Sequence, residues 1–404
     1  MAPRGVGRMS ETVIVAAART PFGRFGGTLK DVHSTDLGAH VIQEVLRRAA
    51  FPASRTDFVC MGHVQPSAGQ TPTRQAVLKS GLPQETLSLT LDRACCSGLT
   101  AVGLAFTQIR AGESHAAVAG GMENMSRTPL LVHNARWGTR LGVLETEDPN
   151  VMVNPFLKTP RVIYVAKAAL EHGEGREAQD RWALLSQQRY AAAEQAGKFV
   201  DEVVPIVVPQ KKGPPIRFNR DEPPRPDTTY DKLAALPTVY GSETVTAGNA
   251  PGLNDGAAAL LLLSSEEARR TEKSALASIV SYAAVSGDPV YSVRLPAAAI
   301  QKALDKAKLP LDEMHLIEIN EAYAAMPLVS TRLLADGDER RLAALRDRTN
   351  VNGGAVAIGH AIGASGARIL MTLLYELQRR GGGYGVAAIC GGIGQADAMV
   401  IKVD

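Results

Sequence analysis

The chain is poor in cysteine, in aromatic side chains, in unbalanced charge and in long apolar runs, and each shortage closes off a class of function. Four cysteines among 404 residues (Cys60, Cys95, Cys96 and Cys390) are too few for a disulfide scaffold. No two are spaced C-x-x-C, which argues against a structural zinc site, and no metal is expected. The neighbours Cys95 and Cys96 could close only a strained bridge, so a reducing compartment, the cytoplasm, is expected. Aromatics make up 5% of the chain, and Lys plus Arg (44) barely exceed Asp plus Glu (41). Nothing there favours a nucleic-acid partner. The most apolar run, residues 257–263, is far shorter than the roughly 20 residues a membrane helix needs, so no membrane partner is expected. Met1 to Ser10 carries Arg4 and Arg8 but no apolar centre, so it does not read as a secretory leader. A short organelle-targeting stub is the lesser alternative there, and Met9 is a second candidate start. The end, Lys402-Val403-Asp404, carries no peroxisomal address.

What is plentiful is glycine, 38 residues, alongside runs of alanine. Hydrophobic residues are 45% of the chain, enough for a large core. At about 150 residues per domain the length suggests two to three domains. Residues 12–18 read as a buried strand and 35–50 as a helix with Leu37, Val41, Val45 and Leu46 on one side. Strand-like and helix-like segments alternate from there, the pattern of α/β layers. The stretch from Arg127 to about Thr246 is richer in proline and charge. It contains one good helix, Arg176 to Gly197, and an irregular loop, Gln210 to Pro237, and reads as an insertion.

The sequence also repeats itself. Laying Ser97-Gly98 on Ser365-Gly366 brings a helical run, an Arg-containing turn, an apolar strand and a glycine pair into register. The pairs are Gly120-Gly121 and Gly391-Gly392, 23 and 26 residues after the serine. Shared order at similar spacing predicts two copies of one α/β unit.

Chemistry-bearing residues gather at junctions. Cys95 follows the strand-like Leu87 to Leu91 and enters a helix, where the dipole and free amides favour a thiolate. The same position suits an inert buried thiol. His360 sits in a five-glycine loop, Gly353 to Gly366, also at a helix entrance, where an imidazole can take a proton from a thiol. Cys390 ends an apolar strand and runs into Gly391-Gly392-Ile393-Gly394. It reads either as an acid/base thiol beside exposed amides or as strand filling. Asn320 follows the strand-like Leu316 to Ile319 and opens a helix, as an N-cap or as the holder of a water or carbonyl. Nucleophile, base, second acid/base and polariser are the set acyl transfer needs.

With these residues in view, the chain resembles the thiolases, the acetyl-CoA C-acyltransferase family. The matching motifs run almost end to end. They are Arg19-Thr20-Pro21-Phe22-Gly23, Cys95-Cys96-Ser97-Gly98, Gly120 to Ser126, Thr246-Ala247-Gly248-Asn249, Asn254-Asp255-Gly256-Ala257, Asn320-Glu321-Ala322, the His360 loop and the Cys390 turn. The resemblance implies an α/β fold of two duplicated halves in αβαβα layers with an inserted loop domain. The expected bounds are 9–126 with 247–276, 127–246, and 277–404.

The resemblance also implies roles. Cys95 takes the acyl group. His360 activates Cys95 and helps bind the thioester oxygen. Cys390 moves the proton of acetyl-CoA. Asn320 holds the water of one oxyanion hole, and the amides of Cys95 and Gly392 form the other. Arg225, Gly248 and Met125 are expected to contact substrate. Coenzyme A and acetyl-CoA enter as substrates, with no permanently bound cofactor. A homodimer or homotetramer is expected.

Two rivals remain. One is a decarboxylating β-ketoacyl synthase, which pairs its cysteine with two histidines where this chain has Cys390. The other is a catalytically weak CoA- or lipid-binding homologue. Departures from the family pattern concentrate near the acyl pocket. Ala361 replaces a proline after the histidine, and Pro251 replaces a serine that contacts the pantetheine arm. The usual His-Met-Gly is not recognisable before Arg161-Val162-Ile163-Tyr164, and Tyr291-Ser292-Val293-Arg294 stands where Met-Gly-x-Gly-Pro is usual. Acyl chain length and direction of flux are therefore not carried over.

Overall fold

The computed structural model describes residues 11–138 and 140–404, so the basic stub Met1 to Ser10 lies outside the described residues. The first unit begins with β1 (Thr12–Arg19), the short β2 (Gly23–Arg24), α1 (Ser34–Arg48) and β3 (Phe58–Gly62). It continues with α2 (Pro72–Lys79), β4 (Leu87–Leu91), α3 (Ser97–Ala111) and β5 (Ala116–Asn124). Between β5 and β8 the chain forms α4 (Arg161–Glu171), α5 (Arg176–Gln195), the pair β6 (Ile206–Val208) and β7 (Ile216–Phe218), and α6 (Tyr230–Ala234), with β6 and β7 pairing apart from the main sheet. The stretch 210–237 is thus not wholly irregular. Thr229 caps the start of α6 by accepting a bond from the Lys232 amide, a local start signal masked by the surrounding prolines.

β8 (Asn254–Ser264) and α7 (Ser265–Arg270) then return the chain to the first unit. The second unit holds β9 (Ala277–Ser286), α8 (Leu295–Ala307), β10 (Met314–Ile319), α9 (Ala325–Ala335) and α10 (Glu339–Asp347). It ends with α11 (Ala355–Ile358), α12 (Ser365–Arg379), β11 (Gly383–Gly391) and β12 (Gln395–Val403).

The main sheet runs β10-β11-β12-β9-β1-β8-β5-β3-β4, with β2 beside β8. The repeat in the sequence reappears as topology. β5 lies parallel to β3 and antiparallel to β8, which continues to β1. β11 lies parallel to β10 and antiparallel to β12, which continues to β9. Among the described residues, the two halves of the sheet pair where Val13 and Ile14 of β1 meet Ser278 and Ala277 of β9.

Layering follows from strands that are apolar on both faces, the habit of buried sheets. Along β8, Ala258, Leu260 and Leu262 enter a central core with α3 and α12. The alternate residues Ala257, Ala259, Leu261 and Leu263 enter an outer core under α1 and α2. Along β11, Ala387 and Ile389 face the central core, while Val386, Ala388 and Cys390 face a second outer core with α4, α8 and α9. The result is α, β, α, β, α. Helix α12 is buried along residues 365–377. Truncating a central side chain such as Leu370 would cost about 2–5 kcal/mol.

Candidate active site

The candidate nucleophile sits on a strained turn. Ala94 has φ 49°, unusual for a residue with a side chain. The turn is tied by Ala94 N–H to Asp92 Oδ1 (2.8 Å), Arg93 N–H to Ser97 Oγ (2.9 Å) and Ser97 Oγ–H to the Ala94 carbonyl (2.6 Å). Arg93 then clamps the turn to the second half through Asp397 Oδ1 (2.7 Å) and Gln395 Oε1 (2.9 Å). Helix α3 starts at Ser97, so Cys95 stands two residues short of the expected helix entrance. The thiol is also not depressed. Burial pushes Cys95 up to about 11, outweighing the Arg161 guanidinium that pulls the other way. Cys96 faces elsewhere, with its Sγ 3.4 Å from the Ile389 carbonyl oxygen, and burial raises it well above an ordinary thiol. All four cysteines are buried and free.

His360 lies in extended backbone five residues before α12, not at its first turn. Its N–H donates to Asn254 Oδ1 (2.8 Å). A side chain at the preceding Gly359, whose φ is 105°, would strike Asn254, so glycine is required there. The ring Nδ1 is 2.6 Å from Ser365 Oγ, and Nε2 is buried without a partner. Burial, then Arg161 and Arg368, drive the imidazole down to about 3, so it is neutral at ordinary pH. The carbonyl of Ala361 accepts from Ala364 N–H (2.9 Å), Ser365 N–H (3.0 Å) and Ser365 Oγ–H (2.9 Å). The loop is therefore tied without the usual proline.

Cys390 is fully buried near the end of β11. Gly392, in the turn that follows, sits so close that a Cβ there would meet the Cβ of Ala94 at 3.0 Å, which brings the two turns together. Asn320 directly follows β10 and does not cap a helix, because α9 begins only at Ala325. Its amide is 1% exposed, and both Oδ1 and Nδ2 lack partners. Buried polar groups are normally satisfied, so an unpaired amide here suits a bound water or carbonyl. The next residue, Glu321, is the anchor. It accepts from Trp182 Nε1 (2.9 Å), Ser186 Oγ (2.8 Å), Asn350 Nδ2 (3.0 Å) and Val356 N–H (3.0 Å). This ties α5 of the insertion to the strand end that carries Asn320.

A cleft of about 430 Å³ is lined by Arg225, Gly248, Pro251 and Asn254, among others. Arg225 and Gly248 thus share one cleft, whose wall at Asn254 is also the partner of His360. Met125 is not part of that lining. It is 1% exposed beneath the cleft, with Sδ 3.5 Å from the Asn254 N–H.

Sequence reasoning passed over Arg161. It is the first residue of α4 and is buried. Its Nη1 lies 3.8 Å from Cys95 Sγ, and its Nη2 lies 3.3 Å from Cys390 Sγ and 3.2 Å from the Gly391 carbonyl oxygen. Ser365, Asn254 and Glu321 were inside quoted motifs but had no assigned task. The signal available for Arg161 was an arginine opening an apolar helix turn with no acid three or four residues on.

Among the described residues, no helix is long and apolar enough to cross a membrane, and no cluster of three or more His, Cys, Asp or Glu side chains could hold a metal. The turn after β4 and the end of β11, one from each sheet half, thus bring two thiols to one buried guanidinium, whose charge also acts on the His360 imidazole. The thiolase N-terminal domain matches residues 12–266 and the thiolase C-terminal domain residues 273–403. An acetyl-CoA acetyltransferase of Chromobacterium violaceum is 43% identical over 97% of this chain and 99% of its own length. The crystal structure of human mitochondrial 3-ketoacyl-CoA thiolase aligns with TM-score 0.93 and 39% identity, covering 98% of this chain and 100% of that one. Its complex with CoA aligns at 0.91 and 38%, covering 98% of each. The chain belongs to the thiolase family.

Proposed function

We propose that this protein is an acyltransferase that moves an acyl group between coenzyme A and acetyl-CoA through an acyl-cysteine on Cys95. The carrying observation is the convergence of Cys95 and Cys390 on one guanidinium, 3.8 and 3.3 Å away. His360 Nε2, free of any partner, accepts the proton of Cys95. Cys390 gives or takes the proton at the carbon next to the thioester. The Asn320 amide supports one oxyanion hole through a water, and the amides of Cys95 and Gly392 form the other. Arg225 and Gly248 line the entry for coenzyme A, and Met125 supports its floor at Asn254. Coenzyme A serves as substrate, as the CoA-bound relative suggests.

The same reading divides the chain into two halves with residues 127–246 inserted. It takes the protein to be a cytoplasmic homodimer or homotetramer. Support for assembly is the sheet-edge strand β4, which exposes Leu87 and Leu89, and the arm that exposes Leu130, Trp137 and Leu144. A β-ketoacyl synthase is not favoured, because Cys390 stands where a second histidine would be needed.

The test is CoA-dependent cleavage of acetoacetyl-CoA and of a longer 3-ketoacyl-CoA, with intact mass read in parallel. Turnover of at least one, and an acyl adduct on Cys95 lost in Cys95→Ser, are expected. No turnover of either, or an adduct on Cys96, overturns the reading.

A further inference from the structure

Arg161 is a buried cation in want of an anion. The groups that act most strongly on it are Cys390, Cys95, Tyr323 and Tyr164, and none is a carboxylate. Its Nε has no hydrogen-bond partner. Burying a guanidinium without a counter-charge is expensive, and buried charges are normally paired. His360 cannot be the balancing cation for a thiolate here, because burial and Arg161 together oppose the imidazolium. Besides the Gly391 carbonyl, the guanidinium reaches two sulfurs, those of Cys95 and Cys390.

We propose that Arg161 is a further catalytic residue, the fixed counter-ion of one negative charge that passes from Cys95 Sγ to Cys390 Sγ and back in each turnover. This rests on the roles proposed above for the two cysteines. The cycle starts once His360 Nε2 has relayed the Cys95 proton to solvent. The Cys95 thiolate adds to the C3 carbonyl carbon of the 3-ketoacyl-CoA. The C2–C3 bond breaks, its electron pair goes to C2, and C2 takes the proton of Cys390. Acetyl-CoA leaves, Cys95 holds the acyl group as a thioester, and the charge now rests on Cys390. The thiol of coenzyme A then adds to the acyl carbon while its proton passes to Cys390. The bond to Cys95 Sγ breaks, and the charge returns there. Neither half-reaction changes the net charge beside the guanidinium. Arginine suits the task because its fork reaches two atoms at once, which the point charge of a lysine does not.

Other titratable groups face the same place. They are Cys96 behind Cys95, Tyr164 on α4, Tyr323 after β10 and His360, with Arg368 of α12 behind His360. The experiment therefore changes Arg161 alone. Alkylation of Cys95 by iodoacetamide is followed against pH by peptide mapping, in the wild type, Arg161→Gln and Arg161→Lys, together with kcat. In Arg161→Gln the alkylation profile moves to higher pH by about 1–3 units, as loss of an adjacent opposite charge requires. In Arg161→Lys the profile stays nearer the wild type, yet kcat falls about 10²-fold, because one point charge cannot follow the anion between two sulfurs. Should Arg161→Gln not fold, the lysine variant still decides. An unmoved profile in Arg161→Gln, wild-type kcat in Arg161→Lys, or a rise in KM confined to acyl-CoAs with an acidic acyl tail would overturn the proposal. Failure of the underlying roles shows differently, as a wild type that forms no acyl adduct on Cys95.

Discussion

Ser365 Oγ lies 2.6 Å from His360 Nδ1 and 2.9 Å from the carbonyl oxygen of Ala361. A hydroxyl has one proton to give. Both contacts are hydrogen bonds only if Oγ–H donates to the carbonyl and Nδ1–H donates to Oγ. That assignment, made from the network, leaves Nε2 as a bare acceptor inside the site. The serine that begins α12 therefore sets the tautomer of the imidazole five residues earlier.

Removing that hydroxyl should cost rate more than fold. Ser365→Ala is expected to lower kcat about tenfold, the equivalent of roughly 1–1.5 kcal/mol for one lost hydrogen bond, with little change in KM. Ser365→Thr, which keeps a hydroxyl, should recover most of it. Steady-state kinetics of both variants check this, and a KM effect without a kcat effect would contradict the tautomer role.

The buried imidazole also makes the protein acid-sensitive. His360 falls from 6.5 to about 3 on folding, so between those values the unfolded chain binds more protons than the folded one. The stability held above 6.5 is lost progressively as pH drops toward 3. His63, driven by burial to about 4, acts in the same direction. His360→Gln should flatten part of this slope, and urea unfolding at pH 7 and pH 5 measures it. An unchanged slope would mean that His360 is not neutral in the folded protein.

A third expectation concerns the insertion. Arg19 is fully buried and meets Asp221 through two bonds (2.7 and 2.9 Å) and Glu202 through a third (2.9 Å). Asp221 also accepts the Phe22 N–H at 2.7 Å. Asp221→Ala leaves this charge network short of one partner and should destabilise by about 3–5 kcal/mol. The exposed pair Lys232 and Asp227, 3.4 Å apart, should by contrast matter by less than about 1 kcal/mol when Asp227 is changed to Ala. Denaturant titrations of the two variants compare them directly.

A fourth expectation is steric. A Cβ on Gly121 would collide with the carbonyl oxygen of Gly363 in the histidine loop. Gly121→Ala should cost about 1–3 kcal/mol or more through overpacking, and should lower activity along with stability because the loop carrying His360 must shift. Thermal unfolding and kcat/KM of the purified variant check this, and a fully active, equally stable variant would refute it.

Much of the architecture was written in hydrophobic period and order. β4 runs Leu87–Leu91, as its alternating leucines predict, and the two copies of the repeat carry α3 and α12, each 15 residues long. Junction residues were harder. Cys95, Asn320 and His360 all stand outside the helices they were expected to open, because the turns before α3, α9 and α12 are held by side-chain and backbone bonds that no local pattern announces. Arg161 was invisible for a similar reason. What makes it a site residue is the arrival of Cys95 and Cys390 from two distant strand ends, 66 and 229 residues away in the chain. The electrostatics were misread too. A helix entrance suggests a depressed thiol, but full burial of Cys95 overrides that.

Four of the glycines act together at the seam between the sheet halves. Gly62, Gly98 and Gly121 belong to the first half, and a Cβ on each would press on the same atom, the carbonyl oxygen of Gly363 in the second (2.7 Å from Gly62, 2.8 Å from Gly98). Gly366 likewise leaves room for the backbone of Leu99. These positions form a keyed joint between duplicated halves, cut so close that no side chain fits on either face. Two copies of a unit can diverge freely on their outer helices and in the arm around Trp137, but a change at the joint in one copy has no room to be answered by a change in the other. The joint is thus backbone against backbone, and the loop that carries the imidazole forms one of its faces.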